Sequence, residues 1–250
     1  MSWVRSKAVE VYLGETLVGC KGLDDAAERW AEVADVQAGL AQLREWASAA
    51  GVPVRARVWL GSALARPLVL AGDCGAKNLE EIKALAAMTA SDITGLPGEL
   101  KVWTAPWRAN RPTLAVAISR TLLAALETAT SSSAEKLLRV DSVRPWWNQV
   151  FDAVLDSSRA QACSIGWTLM EPDGLVHGRV ARGEAIESAF EGSKARDPDW
   201  SLLRRRLAIG WDGVDEIEHF GFEAGAAVSG KASLFAIARA SLLGEKEAAA

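Results

Sequence analysis

The chain is poor in the residues that disulfide, redox and metal chemistry need. Cysteine occurs only as Cys20, Cys74 and Cys163, an odd and widely spaced set that builds no disulfide framework and implies a reducing compartment. His177 and His219 are the only histidines, and two isolated imidazoles with Glu216 and Glu218 nearby do not have metal-ligand spacing. No H-E-x-x-H, C-x-x-C or G-x-S-x-G occurs. No apolar run approaches the roughly 20 residues of a membrane-spanning helix. The opening MSWVRSKAVEVYLG lacks the apolar core of a secretory signal. A net charge of −4 excludes a general pull toward nucleic acid or anionic lipid. No repeat of fixed period is visible.

What the chain has is apolar residues in half of its 250 positions, enough for one large or two small domains. It also has eleven tryptophans, against five phenylalanines and one tyrosine. Tryptophans fill cores, and exposed ones anchor partners. Both readings stay open for Trp103/Trp107 and Trp146/Trp147, each a close pair in sequence. Adjacent residues on a helix point about 100° apart, so Trp146 and Trp147 are not expected both to be fully buried.

The stretch from Lys101 to Val150 organises the rest. Thr113–Ile118 is a nearly continuous apolar run, the pattern of a strand covered on both faces. Ser119 is positioned to cap a helix striped by Leu122, Leu123 and Leu126. Leu137–Val143 returns as a strand, and this strand–helix–strand unit predicts parallel pairing. Upstream, Val9, Val11 and Leu13 alternate with Ala8, Glu10 and Tyr12 before a turn into Leu17–Cys20, an opening hairpin. A helix is predicted from Asp24 or Asp25 to Ala50, with Ala26, Trp30, Val33, Leu40, Leu43 and Ala47 on one face. Val54–Leu60 and Ala65–Ala71 read as a strand pair about Gly61-Ser62. Asn78 caps a helix carrying Ile82, Leu85, Ala86 and Met88. Lys101–Thr104 is a strand.

Downstream, Pro145 opens a helix with Trp146, Trp147, Val150, Phe151 and Leu155. Ala162–Met170 and Leu175–Ala181 form the clearest hairpin, joined by Glu171-Pro172-Asp173-Gly174, which has type I turn chemistry. Helices are predicted over Glu184–Phe190, Asp199–Ala208 and Lys231–Leu243, and a strand over Ile217–Phe222.

Few motifs carry chemistry. Gly225 to Lys231, with Gly230, has the G-x-x-x-x-G-K spacing of a phosphate loop, but Ala232 stands where Ser or Thr would hold magnesium. The residues read instead as a flexible, small-residue helix start. Ser133-Ala134-Glu135-Lys136 matches S-x-x-K without the K-T-G element that completes that chemistry. Arg204-Arg205-Arg206 points three ways on a helix and reads as a solvated face.

Val58-Trp59-Leu60-Gly61 entering a strand pair, the Leu79–Ala90 helix, and Thr113–Leu126 followed by Leu138–Trp147 together resemble the actin-like, ribonuclease-H-like assembly proteins of type II secretion and type IV pilus systems, the secretion protein L and pilus assembly protein M group. The resemblance implies an α/β fold of two ribonuclease-H-like lobes with mixed sheets flanked by helices. The lobes are expected at residues 1–155 and, smaller and incomplete, 156–244, with a disordered tail over 245–250. ATP-binding members hold nucleotide with an Asp-x-Gly turn in each half. Here the turns read Leu13-Gly14-Glu15 and Glu171-Pro172-Asp173-Gly174. The resemblance therefore implies a degenerate, non-hydrolysing scaffold without cofactor, cytoplasmic or peripheral at the inner membrane. Its partners would be pilus or secretion assembly proteins, with a homodimer left open. Partner-binding candidates are Trp103, Trp107, Trp146 and Trp147. The alternatives are an ATPase of the same fold binding Mg·ATP with Gly225, Gly230 and Lys231, and a domain holding a small ligand between its lobes.

Overall fold

The computed structural model describes residues 6–23, 28–131, 137–155, 161–192, 214–221 and 238–239. The chain opens as an antiparallel meander of β1 (Lys7–Leu13), β2 (Leu17–Lys21) and β3 (Arg29–Glu32), followed by α1 (Val36–Ala49) and β4 (Val54–Leu60), which lies parallel to β1. It then leaves that sheet. β5 (Ala65–Leu70), α2 (Leu79–Thr94), β6 (Leu100–Thr104) and β7 (Thr113–Ser119) build a separate antiparallel sheet in the order β5-β7-β6. α3 (Arg120–Ser131) returns the chain to β8 (Leu138–Pro145), parallel to β4, which completes the first sheet as β3-β2-β1-β4-β8.

After α4 (Asn148–Leu155) come β9 (Ser164–Glu171), β10 (Gly174–Ala181), β11 (Glu184–Gly192), β12 (Glu216–Gly221) and β13 (Ala238–Arg239), in the order β11-β10-β9-β12-β13. Here too a meander's first strand takes a parallel neighbour, β12 beside β9. The two five-stranded sheets thus share one plan, and each begins with a hairpin.

Several elements form as their residues dictate. Asn78 caps α2 by accepting from the Glu81 N–H, and Gly95, at φ 65°, closes it by donating to Ser91 O. Ile82, Ala86 and Ala90 make its buried face, whereas Met88 points to solvent. β7 is nearly all apolar because both its faces are covered. Ala115 and Ala117 pack with α2, and Leu114 and Ile118 pack into two other clusters.

Other expectations are corrected. The helix predicted from Asp24 or Asp25 begins only at Val36, capped by Asp35, and Arg29–Glu32 is a strand instead. Trp30 there lies over Gly19, where any Cβ would collide with the indole. β4 and β5 are not a pair, since Gly61-Ser62 carries the chain from one sheet to another. β7 and β8 are not paired either, and the parallel crossovers run β1 to β4 and β4 to β8. Glu184–Phe190 is a strand, entered through a turn with Arg182 and Gly183 both at positive φ, the geometry of a type I′ hairpin. Ala238–Arg239 pairs with β12, inside the segment predicted as the last helix. The Asp199–Ala208 helix lies outside the described residues.

The expectation about the tryptophan pair fails as well. Trp146 and Trp147 are 0% and 1% exposed. Both precede the first helical residue, Asn148, so helical spacing does not govern their directions. They sit at the centre of an aromatic core. Trp146 meets Tyr12 edge-on at 5.9 Å, Trp147 meets Phe151 at 6.3 Å, and Phe151 meets Trp167 at 6.3 Å. This cluster joins β1, α4 and the sheet of β9. Trp147 Nε1–H also donates to Ala65 O at 2.7 Å. Trp147→Phe should lower unfolding free energy by about 2 kcal/mol, from the lost donor and partial cavity. Trp146→Ala should cost roughly 3 to 5 kcal/mol. Urea denaturation of the full chain measures both.

Candidate functional site

The shared plan of the two sheets brings their first hairpins face to face. The β1–β2 turn supplies Gly14, Glu15 and Thr16, and the β9–β10 turn supplies Glu171, Pro172 and Asp173. Neither Pro172 nor Asp173 has positive φ, which leaves type I among the common two-residue hairpin turns and agrees with the turn chemistry of the sequence. That turn aims both acids at the first hairpin and the Gly61-Ser62 corner.

Asp173 is 9% exposed and acts wholly as an acceptor. Its Oδ2 takes the Glu15 N–H at 2.6 Å, and its Oδ1 takes the Thr16 N–H at 3.1 Å and the Thr16 hydroxyl at 2.5 Å. Successive backbone N–H groups at a turn form an anion-holding concavity. Here the anion is the chain's own carboxylate. Gly14 makes room for it, because a Cβ there would lie 2.5 Å from Asp173 Oδ2.

Glu171 is 4% exposed and lies beside it. Its Oε2 accepts the Ser62 N–H at 2.7 Å and the Tyr12 hydroxyl at 3.2 Å, while Oε1 accepts the Ser62 hydroxyl. Gly61 is kept small by the same crowding, since a Cβ would meet the Tyr12 hydroxyl at 2.5 Å. Burial pushes the Glu171 carboxyl up from 4.5 to about 7, with the Asp173 charge adding to the rise and the Ser62 and Tyr12 donors opposing it. Burial, then the charges of Glu171 and Asp173, hold the Tyr12 phenol well above its ordinary value, so it remains a donor.

Of the residues that the sequence singled out, the turns Leu13-Gly14-Glu15 and Glu171-Pro172-Asp173-Gly174 reach this junction. Trp103 is 42% exposed on the edge strand β6, and Trp107 packs against the α2 cluster. Trp146 and Trp147 are core. Gly225, Gly230, Lys231 and the S-x-x-K segment lie outside the described residues. The two histidines flank Thr168 across neighbouring strands: His219 Nδ1 lies 2.7 Å from Thr168 Oγ1, and His177 Nε2 lies 3.4 Å from Glu191 Oε1. Among the described residues no three His, Cys, Asp or Glu side chains gather as metal ligands would. Sequence reasoning missed Tyr12, Thr16 and Ser62. Their signal was slight: the sole tyrosine at a strand end and small polar residues after glycine.

A protein of Bacteroides thetaiotaomicron described as having an actin-like ATPase fold and unknown function superposes with a TM-score of 0.56 over 89% of this chain and 84% of its own, at 11% identity. The chain has the actin-like fold. The cytoplasmic domain of EpsL, an inner-membrane component of the Vibrio cholerae type II secretion system, aligns at TM-score 0.49 and 10% identity, covering 86% of this chain and 82% of its own. The PilM–PilN type IV pilus biogenesis complex aligns at TM-score 0.49 and 12% identity, covering 82% of this chain and 66% of that one. No family model and no curated protein matches the sequence.

Asp173→Ala leaves three donors without an acceptor and should cost roughly 3 kcal/mol of stability, whereas Asp173→Asn, keeping one acceptor oxygen, should cost about half. A loss below about 1 kcal/mol for the alanine variant would show that the contact does not hold the hairpins. Glu171 gives a pH signature. Its folded pKa lies above its unfolded value, so its favourable contribution is full below about 4.5 and disappears as pH rises through about 7. The difference is roughly 3 kcal/mol. Wild type minus Glu171→Gln, followed by denaturation at pH 5 and pH 8, should show that fall, and a pH-independent difference would refute it.

Proposed function

We propose that the protein is a non-hydrolysing scaffold that uses an actin-like fold to dock other proteins. The observation that supports this is the Asp173 carboxylate seated on the Glu15 and Thr16 amides. An actin-like nucleotide site needs free donors at its facing hairpins for phosphate. Here these donors are engaged from within, and Glu171 beside them opposes a polyanion with a second carboxyl. These residues do not fit a bound triphosphate. The resemblance of Val58–Gly61, Thr113–Leu126 and Leu138–Trp147 to the secretion protein L and pilus assembly protein M group favours a finer reading. On it, the protein works at the cytoplasmic side of a type IV pilus or type II secretion assembly, with other assembly proteins as partners. No described helix is long and apolar enough to cross a membrane.

Calorimetry of the full chain with Mg·ATP should give no saturable heat, and affinity crosslinking in the native host should recover envelope assembly proteins. Tight Mg·ATP binding abolished by Lys231→Ala would replace the scaffold with the ATPase reading.

A further inference from the structure

β8 ends the first sheet with only β4 hydrogen-bonded to it, so among the described residues its outer edge has no strand partner. An unpaired edge is a template for another strand unless charge, a bulge or a cover protects it. The register of β8 against β4 slips at Asp141, and the regular length of strand open to pairing is Ser142–Pro145. The surroundings of this edge differ on its two faces. On the face toward α3, Leu123, Leu126 and Glu127 of the helix and Val140, Asp141, Ser142 and Val143 of the strand line an open groove of about 260 Å³, apolar along its valines and leucines. On the opposite face, Arg57, Trp59, Ser142 and Arg144 line a cavity of about 320 Å³.

The second face is cationic. Asp141 neutralises Arg55 at 2.8 Å and Arg139 at 3.3 Å. Arg57 and Arg144 hold no ion pair among the described residues, and both are exposed. Trp59 Nε1–H is shut off from solvent without a hydrogen-bond partner among those residues. The two exposed guanidiniums form an anion-attracting site in a chain whose net charge is −4.

We propose that β8 is a strand-addition site for an extended acidic segment of a partner protein. The segment alternates apolar residues, directed into the Leu123–Val143 groove, with carboxylates directed to Arg57 and Arg144. Successive side chains of a strand point to opposite faces, so one extended segment reaches both sites while its backbone pairs with β8. A second copy of this chain fits worse. Antiparallel self-pairing centred on Asp141 and Ser142 would set Arg139 opposite Arg144, and like charges directly opposed destabilise a sheet. This inference deepens the scaffold reading and rests on it for the existence of a protein partner.

The test uses the full chain and a fluorescent peptide of about eight residues, enough to span β8, in which valine and glutamate alternate. Anisotropy should show saturable binding, weakened at least about tenfold by Arg57→Glu with Arg144→Glu and by high salt. Circular dichroism verifies that this double variant, changed only at exposed positions, is folded. Hydrogen exchange should show residues 138–145 gaining protection when the peptide binds. The site is refuted if the peptide does not bind, if charge reversal leaves binding unchanged, or if a valine–lysine peptide binds as well. Protection, in the free chain, of the amides of residues 138–145 that point away from β4 would also overturn it. Protection at every concentration would mean that the chain covers its own edge, and protection rising with concentration would mean self-pairing. Native partners captured equally by wild type and the double variant would refute this site while leaving the scaffold reading intact.

Discussion

The structure depends on one acceptor–donor contact made across the whole molecule, the Asp173 carboxylate on the amides of the β1–β2 turn. Everything near it is arranged around that approach. Gly14 and Gly61 lack side chains because acid and phenol oxygens occupy the space. Tyr12 and Ser62 donate to Glu171, whose burial would otherwise be costly. Below the polar junction, Trp146, Trp147, Phe151 and Trp167 seal the same two sheets with apolar contact. Polar specificity at the rim and aromatic mass beneath it fix how the sheets face each other.

The duplicated strand plan explains why such a contact is available. Two sheets that each begin with a hairpin present two turns to one another, and what lies between them depends on turn chemistry. Donors on both sides would hold an anion between them. Donors on one side and carboxylates on the other close directly. This chain has the second combination, with the Asp173 carboxylate accepting from Glu15 and Thr16.

Much of the fold was legible in the residues. Alternation around Gly14 and around Pro172–Gly174 specified both facing hairpins, and Asn78 marked the start of α2, which runs past the expected Ala90 to Thr94. What stayed hidden was whatever a distant neighbour decides. Arg29–Glu32 satisfies helical spacing through Ala26, Trp30 and Val33, yet it pairs with β2, where Trp30 lies over the bare backbone of Gly19. β11 hinges on a positive φ at Arg182, a residue type that rarely announces one. Periodicity tells which face of β7 or β8 is covered, not which strand lies alongside. The site was half visible: Glu171 and Asp173 stood out as turn residues, but their targets lie more than a hundred positions away, Asp173 from Thr16 by 157.

The placement of Tyr12 has an optical consequence. It is the chain's single tyrosine, its hydroxyl donates to Glu171, and its ring lies 6.1 Å from Trp30 and 5.9 Å from Trp146. A phenol so close to two indoles passes its excitation to them and emits little itself. Any event that loosens the first sheet, to which Tyr12 and Trp30 belong and whose last strand Trp146 follows, lengthens those separations and restores phenol emission, so the molecule contains an intrinsic spectroscopic gauge of that sheet.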